Sequence, residues 1–198
     1  MSGYPVFYAR SKSIQEHVGY IIKTKNRSIR DPEVRQLAVK IVSSSYVWRT
    51  DPRTGQQEPF IKAWNKYFHG EKSPICPPRD DECEIVKIWN FVVRNFRYVY
   101  DPLTVDTFAT AKLSLEAGGG DCDDAAVLFA SLLEAIGFHM RCRVITTPDE
   151  PDNWVHIYPL VGVPKDDASD WLPLDMTVSG YKPGQEWPKI AKLIDFEM

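Results

Sequence analysis

The stretch GGGDCDDAAVLFASLLEAIGF, residues 118–138, decides the fold. Ala125, Ala126, Leu128, Phe129, Leu132, Leu133 and Ile136 make a broad apolar face at helical spacing, so the segment reads as a helix that begins about Asp121 and stops at Gly137. A face that wide belongs at the centre of a core. Cys122 falls in the first turn of this helix, directly after three glycines. Backbone N–H groups at that end lack helical partners, and together with the macrodipole they favour a thiolate. The glycines allow backbone to approach a substrate closely. Asp121, Asp123 and Asp124 suit a helix N-terminus but oppose a thiolate, so the reactivity of Cys122 depends on a cationic partner.

Downstream, residues 140–147 (MRCRVITT), 153–162 (NWVHIYPLVG) and 170–177 (DWLPLDMT) alternate in the manner of half-buried strands separated by turn residues. They predict a three-stranded antiparallel meander. One long helix on a small sheet is an α+β arrangement. Upstream, the acidic start at residues 80–84 leads into a helix with Ile85, Trp89, Val92, Val93 and Phe96 on its buried stripe, ending close to Arg97. Residues 98–120 read as irregular, with a short helical turn at 111–117. The three prolines of residues 71–80 mark a connector, which divides a helical N-terminal region, 1–75, from a core, 76–198. In the former, Asp31-Pro32 starts a helix with Val34, Leu37, Ala38 and Ile41 inward, and Phe60, Ile61, Trp64, Tyr67 and Phe68 suggest a second that ends near Gly70.

A chain of 198 residues can bury a real core. Its formal net charge of -3 provides no general field for phosphates, so nucleic acid is not the expected partner. No stretch has signal-peptide or membrane-spanning character, and a cytoplasmic protein with no membrane partner is expected. Cys76, Cys83, Cys122 and Cys142 are then expected as reduced thiols. No zinc-ligand spacing occurs, the Asp121–Asp124 run lacks the later ligands of a calcium loop, and no cofactor is expected.

His17 and His69 lie in the N-terminal region, and His139 sits in the turn after the core helix. His156 is different, because it lies within Trp154-Val-His-Ile-Tyr158, where alternation puts Trp154, His156 and Tyr158 on one face and Val155 and Ile157 on the other. A strand holds an imidazole rigidly, as a general base requires. Asp175 follows at the end of the next apolar strand, where antiparallel pairing can bring it beside the ring. Such a carboxylate fixes the tautomer and stabilises an imidazolium, which in turn supports a Cys122 thiolate.

GGGDCDDAAVLFASLLEAIGFHMRCRVI, then WVHIYPLV, then WLPLDMT resembles the core of the transglutaminase-like superfamily. The resemblance spans about residues 85–177 and implies a papain-like α+β fold with Cys122, His156 and Asp175 as its catalytic triad. Gly120-Asp-Cys-Asp-Asp124 and Tyr98-Val-Tyr-Asp-Pro102 resemble the members encoded by tailed bacteriophages. What this implies is thiolate attack on an amide carbonyl, a thioester, and release to water or to an amine, with a protein or peptide as substrate. It equally allows a non-catalytic phage structural or assembly protein that binds phage proteins through the same fold. The Cys122 N–H is the natural oxyanion donor, and Tyr98 is a candidate for the second.

Overall fold

The computed structural model describes residues 13–43, 76–101 and 105–198, and the backbone of four strands at 6–9, 46–50, 57–60 and 72–73. In chain order the elements are β1 (Val6–Ala9), α1 (Ile14–Ser28), α2 (Pro32–Ser43), β2 (Tyr46–Thr50), β3 (Gln57–Phe60), β4 (Lys72–Ser73), α3 (Asp81–Asn95), β5 (Arg97–Tyr98), β6 (Val105–Phe108) and α4 (Ala111–Ala117). They continue with β7 (Gly119–Gly120), α5 (Cys122–Glu134), β8 (Met140–Thr146), β9 (His156–Val163), β10 (Asp170–Pro173) and β11 (Lys192–Glu197). Among the described residues no helix is long and apolar enough to cross a membrane.

Helix α5 forms where its residues require it. Asp121 is the N-cap, accepting from the N–H of Asp123 and Asp124, and Gly137 takes the left-handed conformation (φ 100°) that closes the C-terminal turn. Between these signals Ala126, Val127, Leu128, Phe129, Leu132 and Leu133 are wholly buried. Each large apolar side chain buried there contributes about 1.5–3 kcal/mol relative to exposure. The helix is packed against α1, α2, α3 and α4 and against β8 and β9. One apolar cluster runs from Val34, Ala38 and Ile41 of α2 through Ile88 and Trp89 of α3 to Leu128 and Leu132 of α5.

The predicted meander β8-β9-β10 is present, in an antiparallel sheet of order β10-β9-β8-β11. The fourth strand, β11, was not anticipated, although Ile194 and Phe196 alternate with the exposed Leu193, Asp195 and Glu197. Pro159 sits inside β9 without breaking the ladder to β8. Its carbonyl accepts from Leu174 N on the β10 side at 2.9 Å, so its missing N–H also falls on that side, just past the last residue of β10.

Three expectations need correction. The region before residue 75 is not helical throughout: Tyr46–Thr50, Gln57–Phe60 and Lys72–Ser73 form a small antiparallel sheet, in keeping with the β-prone Tyr-Val-Trp of the first strand and a proline in the second. Most of the helix expected over Phe60–Phe68 lies outside the described residues. Val93 is exposed, because the inward stripe of α3 runs through Ile85, Ile88, Trp89 and Val92. Cys76 and Cys83 are not free thiols but a disulfide, with Cα atoms 5.6 Å apart. The turn at Pro77–Asp80, with Arg79 at positive φ, carries the chain back so that the first turn of α3 lies under Cys76.

Candidate active site

Cys122 opens α5 because the cap precedes it. Asp121 engages the N–H groups of Asp123 (3.0 Å) and Asp124 (3.2 Å), not that of Cys122. Two groups from other elements favour the ionised sulfur: the Ile157 backbone N–H of β9 and the Tyr98 phenol of β5. Tyr98 is held in place by a short parallel pairing, Arg97 opposite Gly119 and Tyr98 opposite Gly120, with Val99 N donating to the Gly120 carbonyl at 2.7 Å.

The glycine run is explained by this pairing rather than by substrate. A Cβ on Gly119 would lie under 3.0 Å from the Arg97 carbonyl oxygen and 3.3 Å from its carbon. One on Gly120 would meet Asp124 Cβ at 2.6 Å. The Asp124 carboxylate in turn accepts from Ala109 N at 2.7 Å, tying the loop before α4 to α5. Gly118 closes α4 at φ 71°.

His156, the first residue of β9, is opposite Ile145 of β8. Its Nε2 is 2.9 Å from Asp175 Oδ2, and both residues are buried. The sequence missed Thr177, which holds that carboxylate: its N–H and hydroxyl donate to Asp175 Oδ1 at 3.0 and 2.7 Å. The signal was present as Asp175-Met-Thr177, an Asx-type turn. The sequence also missed Trp187, whose ring is 4.7 Å from the imidazole, and Glu186, which pairs with Arg143 and accepts from Tyr158 beside it. Cys122, His156 and Ile157 line one cleft of about 740 Å³, shared with His17 of α1 and Asp106.

The opposition of the flanking acids to a thiolate, expected from the sequence, is joined in the fold by burial of the sulfur. Burial pushes the Cys122 thiol well above its ordinary range and the charges of Asp123 and Asp121 add to this, while the Ile157 N–H and the Tyr98 hydroxyl act in the opposite direction. Burial raises Asp175, but the His156 hydrogen bond and charge and the two Thr177 bonds outweigh it, and the carboxyl lies below its usual value. The site therefore places a thiol biased toward its neutral form in one cleft with an imidazole that is anchored by a carboxylate.

Among the described residues one cluster could hold a metal ion: the donor atoms of Asp121, Cys122 and Asp123 lie within 4.8 Å of one another. These atoms already have protein partners, since Asp121 caps the helix and Asp123 Oδ2 is 2.7 Å from His17 Nε2.

No curated protein and no solved structure is significantly similar to the chain. Residues 72–176 match the family model described as the transglutaminase-like superfamily, which is more than half of the chain. The matched segment runs from β4 to the residue after Asp175 and includes the cysteine-headed helix, the histidine strand and the carboxylate that meets the histidine, so the chain belongs to the transglutaminase-like superfamily.

Proposed function

We propose that the protein is a cysteine-dependent amide-bond enzyme, a peptidase, amidase or transamidase acting on a protein or peptide, with Cys122 as nucleophile, His156 as general base and Asp175 as the group that orients it. The observation that carries this reading is the His156 Nε2–Asp175 contact of 2.9 Å. It commits Nε2 and leaves Nδ1 for the thiol in the shared cleft. With the thiol biased toward its neutral form, Sγ loses its proton to Nδ1 as it attacks the carbonyl carbon. The oxyanion is met by the Cys122 N–H and the Tyr98 hydroxyl, the C–N bond breaks as the imidazolium protonates the leaving amine, and a thioester remains. Water or a second amine, deprotonated by His156, then releases the acyl group. Trp187 packs against the His156 ring, with centroids 4.7 Å apart.

The finer assignment is to the phage-encoded members of the superfamily, on Gly120-Asp-Cys-Asp-Asp124 and Tyr98-Val-Tyr-Asp-Pro102. A second reading is a non-catalytic phage structural or assembly protein, and the upward pressure on the Cys122 thiol favours it. A p-nitrophenyl ester distinguishes the two. The enzyme gives a burst with one acyl group on Cys122 by mass spectrometry and none on Cys142, and His156→Ala slows acylation by roughly 10²–10⁴-fold. A wild-type protein that is not acylated, or one whose acylation is indifferent to His156, refutes the catalytic reading. Faster loss of the acyl group with added primary amine identifies transamidation.

A further inference from the structure

Helix α1 lies outside the matched residues 72–176, yet it brings a second histidine into the cleft of Cys122. His17 Nε2 is 2.7 Å from Asp123 Oδ2, and its Nδ1 is 3.9 Å from Asp106 Oδ2. Phe108 packs edge-on against the ring at 5.1 Å and fixes its plane. The other oxygen of Asp123 is the one nearest the nucleophile, with Cys122 Sγ 3.9 Å from Oδ1. A single buried carboxylate thus has His17 on one oxygen and the thiol on the other.

We propose that His17 is a positioning residue of the active site, which by pairing with Asp123 removes the negative charge that opposes ionisation of Cys122 and so makes helix α1 a working part of the catalytic machinery. This rests on the catalytic reading above. A like charge about 4 Å from sulfur is among the largest adverse effects available to a nucleophile in a partly desolvated site. Among the described residues, the titratable groups that share this cleft or helix face with His17 are Asp123, Asp121 and Cys122 from α5, Asp106 from β6, His156 from β9, Asp152 from the loop before it, and Glu16 and Tyr20 on its own helix. The acids favour the protonated imidazole: burial lowers the His17 pKa, but the Asp123 hydrogen bond and the charges of Asp123 and Asp106 outweigh it and leave it raised.

The pairing also gives the two histidines separate tasks. His156, anchored by Asp175, takes up the proton. His17, anchored by Asp123, does not exchange protons with substrate but sets the field in which the thiol ionises. A histidine that merely tied α1 to α5 would be replaceable by any residue that preserves the hydrogen bond, because Lys25 and Glu134 already join the same two helices at 2.5 Å.

The test is the pH profile of iodoacetamide alkylation at Cys122, read by mass spectrometry, in wild type, His17→Gln, Asp123→Asn and the double variant, with melting temperatures to confirm folding. His17→Gln retains a donor to Asp123 without its charge and should move the midpoint of Cys122 alkylation up by about one pH unit, roughly tenfold slower at neutral pH. Asp123→Asn should move it down, and in that background His17→Gln should have no further effect. Equal profiles for wild type and His17→Gln, or a His17→Gln effect that persists in Asp123→Asn, overturn the proposal. A wild-type Cys122 whose reactivity does not depend on His156 overturns the catalytic reading instead.

Discussion

Gly119→Ala tests whether the glycine run exists to seat Tyr98 beside the sulfur. Gly119 does not have the positive φ of Gly118, so the requirement is for space alone. An added methyl would stand under 3.0 Å from the Arg97 carbonyl oxygen and 3.4 Å from Val99 Cγ2. A backbone oxygen cannot rotate away as a side chain can, so β5 and β7 must part by about 1 Å to reach ordinary contact. Overpacking of this kind costs about 1–3 kcal/mol. In a chain of this length that corresponds to a fall in melting temperature of roughly 2–10 °C. The same displacement carries Tyr98 away from Sγ, and a misplacement of about 1 Å at a reacting centre costs up to roughly 10²-fold in rate. The assay is a thermal melt together with ester acylation of Cys122. The built-in comparison is Gly19→Ala, where a Cβ meets nothing within 4 Å on the exposed face of α1. That change should stabilise the protein by about 0.5–1 kcal/mol. If Gly119→Ala melts and acylates as wild type does, β5 is not pressed against β7 and the placement of Tyr98 is wrong.

Tyr98→Phe leaves the packing and removes one donor, so acylation should fall by roughly 10²-fold while the melting temperature changes little; the comparison of burst rate with melt checks this. Asp175→Asn should lower acylation by roughly 10²–10⁴-fold by favouring the wrong tautomer of His156. Because the Asp175 pKa is depressed in the folded protein, its stabilising contribution is complete above the ordinary carboxyl range and is lost as pH falls through the folded value; an acid titration of melting temperature should therefore be flatter in the Asn variant. Thiol titration of the unfolded, unreduced protein should find two thiols rather than four, and reducing Cys76–Cys83 should cost about 2.5 kcal/mol at most, since the loop it closes is short.

What was legible in the sequence was whatever rests on local signals. Helix α5 announced itself through its acidic cap, its apolar face and Gly137, and the meander through alternation, because period and capping are written into neighbouring residues. His156 and Asp175 could be paired because the turn between their strands puts two chain neighbours side by side. Thr177 and β11 carry local signals that went unread, and the other unread parts depend on where distant segments meet. His17 looked like an ordinary helix residue, since nothing near it in sequence reveals that α1 lies across the start of α5. Tyr98 could be suspected but not seated, because a two-residue parallel pairing has no periodicity. Trp187 reaches His156 only through a C-terminal segment that is pinned by Gly184 N to the Pro173 carbonyl and by Arg143 to Glu186. The opposition of the acids to a Cys122 thiolate was legible, because they are its chain neighbours, whereas the burial that adds to it was not.

The acids at the start of α5 are required by the fold and adverse to the chemistry, and Asp121 allows the two to be separated. As N-cap it holds two backbone N–H groups, a task that serine performs nearly as well, so Asp121→Ser should change stability by only a few tenths of a kcal/mol. Its charge is another matter. Burial first, and then the Asp123 and Asp124 carboxylates, push the Asp121 pKa up to about 9. The side chain is thereby biased toward its neutral form, which does not oppose a Cys122 thiolate, and it opposes one only once ionised. Asp121→Ser should therefore leave Cys122 alkylation almost unchanged near neutrality and speed it increasingly as pH passes through 9, with an unaltered melting temperature. A gain already complete at pH 6 would mean that Asp121 is ionised there, and that capping by two N–H groups outweighs burial at the head of this helix.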